Sequence, residues 1–260
     1  MELFNLSYGE FERFIFVLVR VAAFIVFVPI LGSQQFPARI KLGFILLLSL
    51  SIFPLVRHLP MVEPKGVIDF SIYLFSEATV GLALAYATRL IFAAVQIAGT
   101  VVDFQMGFGV VNVIDPQTQS QVSITAQFQN IFTILLYLAL NAHHLTIHAL
   151  VESFQLINPQ QFGFSSGTMS LILKLFATTF VVAVKIAAPI MAILFFISVG
   201  LGLVARTVPQ MNVFIVGFPL QIGVGLLMVG LTMSFFSMVM TQHISQLPHW
   251  LMGLMQTMAR

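Results

Sequence analysis

The sequence predicts an all-α integral membrane protein, and its composition is the first reason. Of the 260 residues, 59% are hydrophobic and only 8% are charged, and the mean hydropathy is +1.02. A soluble domain carries about a quarter charged residues, so this chain has too few charges to cover a surface that faces water. The second reason is a series of apolar runs that approach or exceed the roughly 20 residues a spanning helix needs.

Several functional classes are excluded or disfavoured by what the chain lacks. It contains no cysteine, which excludes disulfides, thiolate metal sites and cysteine catalysis. The net charge of +2 is too small to indicate nucleic-acid binding. No Ser-His-Asp ordering, phosphate-binding loop or dinucleotide fingerprint is present, so we expect neither catalysis nor a cofactor. The acidic start of the chain and the lack of a small-residue cleavage site argue against a cleaved signal peptide.

Residues 1–102 form an N-terminal group of predicted helices. The first helix is predicted over Phe11–Leu31 and the second over Ile40–Val56. The third apolar run, Val67–Val102, is longer than a bilayer requires, and we expect a tilted, broken or protruding helix there.

Residues 103–123 differ in character from both flanks and are predicted to form a structured loop. Gly107 and Gly109 introduce flexibility, and Asp115-Pro116 is a turn signal. Apolar side chains alternate with these residues, and the segment ends in a run of Gln, Thr and Ser.

Residues 124–240 form a C-terminal group of predicted helices. Ile124–Leu140 is followed by a break at residues 141–144 and by a continuation over Leu145–Ile157. Met169–Ala205 contains Pro189, which can kink it, and Val213–Met240 is predicted as the next helix. Residues 241–260 are a short amphipathic tail, which we expect at an interface.

Five charged residues lie within apolar runs, and they allow two interpretations. They are Arg20, Glu77, Arg89, Lys174 and Lys185. A charge at the bilayer centre costs at least about 2.5–3.5 kcal/mol. In the first interpretation these groups serve a proton or ion pathway. In the second they have a structural role, either as pairs between helices or subunits or as groups that lie outside lipid. Their spacing is not chain-like, which favours a structural role.

Two further local features bear on function. Glu77 with Gly81 one turn later places a carboxylate beside a site of close helix packing. His143, His144 and His148 could approach a metal, but polar anchoring at a membrane boundary is the more common role of such a cluster, and no metal site is predicted.

Several motifs coincide in one order along the chain. They are Pro29; Pro37 with Lys41; Glu77 with Gly81; Gly99; Met106-Gly107; Asp115-Pro116; Asn141-Ala142-His143; Pro189; Gly202; and the stretch Arg206–Pro219. In this order they resemble the FliR family of flagellar type III export-gate proteins, which is related to the T component of virulence injectisomes. The resemblance covers nearly the whole chain.

The resemblance implies a setting for the chain. FliR-like proteins join FliP and FliQ in a closed helical assembly in the flagellar basal body, at the bacterial inner membrane, and FlhB wraps that assembly. Their helical hairpins are bent and partly raised out of the bilayer on the periplasmic side, so the topology is non-standard. Unfolded flagellar export substrates pass through the opened channel. The whole chain, residues 1–260, would be one export-gate membrane domain in contact with lipid and without bound nucleic acid.

The resemblance also implies two sets of functional residues. A plug that closes the channel at rest would lie between Met106 and Val122, with its core at Met106, Gly107, Phe108, Gly109, Val110, Val111, Asn112, Val113, Ile114, Asp115 and Pro116. Assembly and packing would involve Glu77, Gly81, Arg206, Pro209, Gln210, Asn212, Phe214, Gly217, Phe218 and Pro219.

Two other functions stay open at this point. The first is a secondary transporter that uses Glu77 or Asp103 as an intramembrane coupling carboxylate. The second is a purely structural assembly nucleus that lines no pore. A plain extramembrane hairpin is the ordinary alternative to a plug for residues 103–123.

Overall fold

The structure, a computed structural model, describes residues 8–33, 36–59, 64–108, 123–158, 162–163, 165–210 and 212–259. These residues are almost entirely helical. The helices are α1 Tyr8–Phe27, α2 Ala38–Val56, α3 Val67–Met106, α4 Ile124–Ala139, α5 Ala142–Leu156, α6 Ser166–Thr207, α7 Val213–Leu231, α8 Met233–Ser245 and α9 Leu247–Met258. The predicted all-α class is confirmed.

Four of the helices in the described ranges are long and apolar enough to cross a membrane: α2, α3, α6 and α7. The pair α4 and α5 adds a fifth candidate span if it is counted as one element, since its members meet at a bend of 67°. Asn141 stands at this bend with a φ of 54°, and asparagine adopts the left-handed conformation more readily than most residues. The chain is therefore an integral membrane protein with a bent helical element, as its composition indicated.

Several predicted boundaries are wrong. The first helix, predicted over Phe11–Leu31, ends at Phe27. The loop predicted from Asp103 begins later, because α3 continues through Met106 and ends only where Gly107 takes a φ of +92°. The helix predicted over Val213–Met240 is divided at Thr232 into α7 and α8. The long predicted run around Pro189 is a single helix of 42 residues, because a proline can bend a helix without ending it.

The described residues form two compact units. The first takes in Met1–Leu90, Asn141–Phe176 and Ser245–Arg260, and the second takes in Ile91–Leu140 and Ala177–Ile244. Two of the boundaries fall inside α3 and α6, so each of these long helices contributes residues to both units. The other two lie between α4 and α5 and before the last residue of α8. In the first unit the core includes Phe24 and Leu150, and in the second it includes Val95, Ile190 and Met240.

The C-terminal tail belongs to the core of the first unit. The apolar face of α9 is buried, and its members are Leu247, Leu251, Leu254, Met255 and Met258. The hydroxyl groups of Ser165 and Thr168 both donate to the carbonyl oxygen of Thr257, at 3.0 and 2.8 Å. The sequence placed this apolar face at an interface, but protein already covers it.

Candidate functional site

The first candidate site is the crossing of α1 and α3 in the first unit, where a charged pair is fully buried. Arg20 and Glu77 are both 0% exposed. The Nε atom of Arg20 donates to Oε2 of Glu77, and its Nη2 atom donates to Oε1 at 3.0 Å. This two-point contact is the geometry in which a guanidinium and a carboxylate interact most strongly.

Two further N–H groups of Arg20 donate to residues at the end of α5. Nη1 donates to the Ser153 hydroxyl at 3.0 Å, and Nη2 also donates to the carbonyl oxygen of Ile157 at 3.1 Å. The guanidinium carbon lies 4.1 Å from the centre of the Phe154 ring, which adds a cation–π contact. Arg20 therefore joins α1, α3 and the end of α5 through one satisfied network.

Gly81 allows this network to form by bringing two backbones together. A Cβ atom at Gly81 would overlap the carbonyl oxygen of Arg20 and approach the Ala23 side chain to 3.1 Å. Glu77 and Gly81 lie one turn apart on the same side of α3 and meet the same residue of α1. For Arg20 and Glu77, the structure shows interhelix pairing.

The other three charged residues of the apolar runs are on the surface. Arg89, Lys174 and Lys185 are all exposed in the described chain. They do not continue the Arg20–Glu77 network into a line of buried ionisable groups, which a proton or ion pathway within this chain would need.

The second candidate site is the base of the predicted plug segment, in the second unit. Asp103 is 5% exposed, and its Oδ2 atom accepts hydrogen bonds from the Ser123 hydroxyl at 2.6 Å and the Thr125 backbone N–H at 3.2 Å. Ser123 also caps α4, because its hydroxyl oxygen accepts the N–H of Ala126 at 3.0 Å. The two ends of the segment are thus joined to each other.

One turn below this link, α3 and α4 touch through their backbones. A Cβ atom at Gly99 would overlap the Cα and N atoms of Ala126, which is itself fully buried. Such close approach is what glycine permits in helices that pack within membranes. The helices that flank the segment are therefore held together tightly just beneath it.

The first predicted plug residues contact α7. Met106 is 0% exposed, and a Cβ atom at Gly225 would overlap its sulfur atom. A Cβ atom at Gly107 would come within 2.5 Å of the Phe218 ring, and the φ of +92° independently requires glycine there. Phe108 is half-buried. The other predicted plug residues, Gly109–Pro116, lie outside the described residues.

Several buried oxygen atoms on α3 and α4 have no hydrogen-bond partner in the part of the chain that the structure describes. They are Oδ1 of Asp103, Oε1 of Gln105, Oγ1 of Thr125 and Oε1 of Gln129. Thr125 and Gln129 lie one turn apart on α4, so their side chains share a face. Buried polar atoms usually have hydrogen-bond partners. The base of the predicted plug segment therefore differs from the network around Arg20, in which the buried charged atoms are hydrogen-bonded.

The predicted assembly residues of the stretch from Arg206 to Pro219 are mostly on the surface. Asn212 caps α7, since its Oδ1 atom accepts the N–H of Phe214 at 3.1 Å. Phe214 is 72% exposed, although its ring lies 5.8 Å from that of Phe218. Gly217 is buried against Leu201. The exposed members are Arg206, Pro209, Gln210, Asn212, Phe214 and Pro219.

The sequence did not identify the link between Asp103 and Ser123, or the role of Ser153 in binding Arg20. The first could have been found, because Ser123 directly precedes an apolar run and serine is a favoured N-cap residue. The second carries no local signal, since Ser153 lies far from Arg20 in the sequence.

No group of three or more metal-ligating side chains occurs within the described ranges. His148 lies 3.6 Å from Glu152, one turn along α5, and His148 is exposed. The side chains around Arg20 and around Asp103 hold neighbouring helices together.

The sequence is similar to known export proteins over most of its length. Residues 11–247 match the family of bacterial export proteins, family 1. The chain is 40% identical over 227 residues to the flagellar biosynthetic protein FliR of Bacillus subtilis (strain 168), covering 86% of this chain and 87% of that protein. It is 30% identical over 210 residues to the protein of the same name from Escherichia coli (strain K12), covering 80% and 79%. It is 29% identical over 236 residues to the flagellar biosynthetic protein FliR of Aquifex aeolicus (strain VF5), covering 89% of this chain and 91% of that protein.

Proposed function

Since the chain belongs to family 1 of the bacterial export proteins and to the FliR family within it, we propose that it is a structural and pore-gating subunit of the flagellar type III export gate. Its role in flagellar export and its place in a membrane follow from the family and from its apolar helices. In the proposed role it lets unfolded flagellar subunits cross the bacterial inner membrane at the flagellar basal body.

One observation supports the gating part of the proposal most directly: the segment after Met106 is held at both ends. Asp103 binds Ser123 and Thr125, and Met106 and Gly107 pack against α7. A segment that stops a channel must stay in place between export events while its middle can move. Anchored ends and glycines at positions 107 and 109 meet both requirements.

The surface of the described chain supports assembly with hydrophobic partners. Phe196, Leu227 and Leu231 are more than half exposed, as is Phe214. Lipid can cover part of this surface, and we propose that FliP, FliQ and FlhB cover the rest. The exposed set Arg206, Pro209, Gln210, Asn212, Phe214 and Pro219 is the proposed site of such contacts, together with Gly217 and Phe218 behind it.

Deleting residues 107–115 tests the plug. We expect small ions to leak across the inner membrane of cells that carry the deletion, because the plug segment between the anchored ends is shortened. Unchanged ion permeability together with unchanged export contradicts the plug assignment. Exchanging the same residues for a Gly/Ser segment of equal length is the matched control for chain length, and we expect it to leak as well because it removes the branched apolar side chains.

Cross-linking separates a gate from a structural nucleus that lines no pore. Because the chain has no cysteine, Phe108→Cys and Asn112→Cys each introduce a unique thiol. We expect both to cross-link to a stalled export substrate, while Met238→Cys, at a position 62% exposed on α8, does not. Equal cross-linking at all three positions, or none at Phe108 and Asn112, contradicts the gate.

The transporter alternative loses one of its two carboxylates. Glu77 is bound at both oxygen atoms by Arg20, so it is not available as a coupling site. Asp103 keeps one unpartnered oxygen atom. Uptake of a small substrate by the purified chain alone in liposomes, abolished by Asp103→Asn, would favour transport over the gate.

A further inference from the structure

We propose that the first unit binds an anionic phospholipid, with an acyl chain in a cavity between α3 and α6 and the phosphate at Arg89. The cavity has a volume of about 220 Å³ and opens to the surface. Its walls come from α3, from α6 and from Leu254 of α9, and include Leu82, Ala83, Tyr86, Leu175 and Phe176.

The lining indicates an apolar occupant. Its side chains are almost all hydrocarbon or aromatic, and the hydroxyl of Thr79 already donates to the carbonyl oxygen of Phe75 at 2.7 Å. Ordered water needs two to four polar partners, which such walls do not supply. An apolar cavity of about 150 Å³ is enough to admit benzene, so this larger one has room for several methylene groups of an acyl chain.

The position of the cavity gives lipid access to it. Both helices that form most of its wall, α3 and α6, are candidate membrane spans. Tyr86 and Phe176, whose rings lie 5.8 Å apart, connect the two helices, and Leu82 and Tyr86 are each 40% exposed at the rim. An acyl chain can therefore enter from the surrounding hydrocarbon.

Arg89 is the observation that selects an anionic lipid. It follows Tyr86 by three residues and Leu82 by seven, so it lies on the same side of α3 as the rim. It is exposed, and neither of the ion pairs that the structure gives within the described ranges includes it. An unpaired guanidinium among apolar side chains is costly, and a lipid phosphate offers the two-point contact that guanidinium groups favour.

The length of α3 is consistent with a headgroup at Arg89. The part of α3 that precedes Arg89 rises about 33 Å, close to the hydrocarbon thickness of about 30 Å. Crossing the bilayer with this part of the helix would carry Arg89 to the level of the headgroups. An acyl chain in the cavity and a phosphate at Arg89 then belong to one molecule.

Native mass spectrometry of the full chain, extracted from membranes with its bound partners, tests the proposal. Phosphatidylglycerol and phosphatidylcholine with the same acyl chains are titrated separately. We expect phosphatidylglycerol to be retained preferentially, and Arg89→Gln to weaken its binding by about fivefold or more. Ala83→Phe, which fills the cavity, should abolish retention of that lipid.

Matched controls are available on the same chain. Arg39→Gln changes an exposed arginine away from the cavity, and Ala177→Phe enlarges an exposed alanine of α6 outside it. Neither should alter retention. Equal binding of the two lipids, or equal effects of Arg89→Gln and Arg39→Gln, overturns the proposal.

A partner helix in the cavity is the competing occupant, and a second measurement identifies it. Ala83→Cys places a unique thiol in the cavity wall. We expect it to react with a phosphatidylglycerol that carries a thiol-reactive group on its acyl chain. Disulfide formation with a cysteine scanned along a neighbouring subunit, without reaction with the lipid, overturns the proposal.

Discussion

Glu77 and Asp103 are two buried carboxylates on the same helix, and they are held in opposite ways. Glu77, in the first unit, has both oxygen atoms bound by the guanidinium of Arg20. Asp103, in the second unit, accepts two neutral hydrogen bonds at one oxygen atom and none at the other. No cationic side chain contacts Asp103 in the described part of the chain.

The difference indicates which side-chain arrangement is fixed and which can exchange its hydrogen-bond partners. A buried charge pair whose guanidinium makes four hydrogen bonds favours a single arrangement, because separating the pair leaves an uncompensated charge in apolar surroundings. A half-satisfied carboxylate can exchange one partner for another at lower cost. The fixed pair belongs to the first unit, and the half-satisfied carboxylate belongs to the second, where the proposed plug segment begins.

The largest expected effect comes from breaking the fixed pair. Arg20→Met leaves the Glu77 carboxylate buried without its cation, and such removal of one partner costs about 3–5 kcal/mol. We expect a large loss of thermal stability in the detergent-extracted protein. Replacing both residues, Arg20→Met with Glu77→Leu, should recover most of that loss, because apolar residues of similar volume often substitute for a buried pair.

A double-mutant cycle measures this coupling. Equal and additive losses from the two single variants would show that the charges act independently and would contradict the assigned network.

The next expected effect concerns close helix contacts, of which each unit contains one at a glycine. Gly81→Ala and Gly99→Ala place a methyl group against backbone atoms of Arg20 and Ala126, which cannot move without shifting a helix. We expect each to destabilise the protein by about 1–3 kcal/mol. Gly43→Ala is the control, since nothing lies within 4 Å of its added Cβ atom, and it should be neutral or slightly stabilising. Melting temperatures of the three variants give the comparison, and a loss at Gly43 equal to the others would contradict it.

A smaller effect is expected from removing a hydrogen-bond donor to the Asp103 carboxylate. Ser123→Ala removes a donor to Asp103 and also the cap of α4, and the loss of such a cap costs about 0.5–2 kcal/mol. We expect a modest decrease in stability but a clear increase in ion leak, because the two ends of the proposed plug segment separate more easily. Ser51→Ala, whose hydroxyl bonds only its own helix, is the control. Equal leak in both variants would contradict the anchoring role.

Periodicity and composition predicted the helical class, but boundaries depended on contacts that the sequence does not display. The bend at Asn141 was visible as a polar break within an apolar run. The sequence predicts the end of α3 too early, because Asp103 resembles a loop residue and its hydrogen bonds to Ser123 and Thr125 are not visible in the sequence. The sequence also does not predict the burial of α9, because an amphipathic pattern does not reveal whether lipid or protein covers its apolar face.

The candidate sites were also predictable only in part, because the sequence shows local patterns but not contacts between distant residues. Glu77 and Gly81 stood out because a charge and a small residue share one helix face within an apolar run. Which residue would meet them was not visible, since Arg20 and Ser153 come from distant parts of the chain.

The smallest expected effect is at the contact between α3 and α7 beside the proposed plug. A methyl group at Gly225 would overlap only the side chain of Met106, which has three rotatable bonds and can move aside, and would lie at an ordinary contact distance of 3.6 Å from Leu194. We therefore expect Gly225→Ala to cost less than about 1 kcal/mol, well below Gly99→Ala in the same unit. Gly223→Ala, with nothing within 4 Å of its added Cβ atom, is the neighbouring control. A loss at Gly225 as large as that at Gly99 would mean that Met106 is as immobile as backbone. The base of the proposed plug would then be a fixed joint, and gating would have to arise outside it.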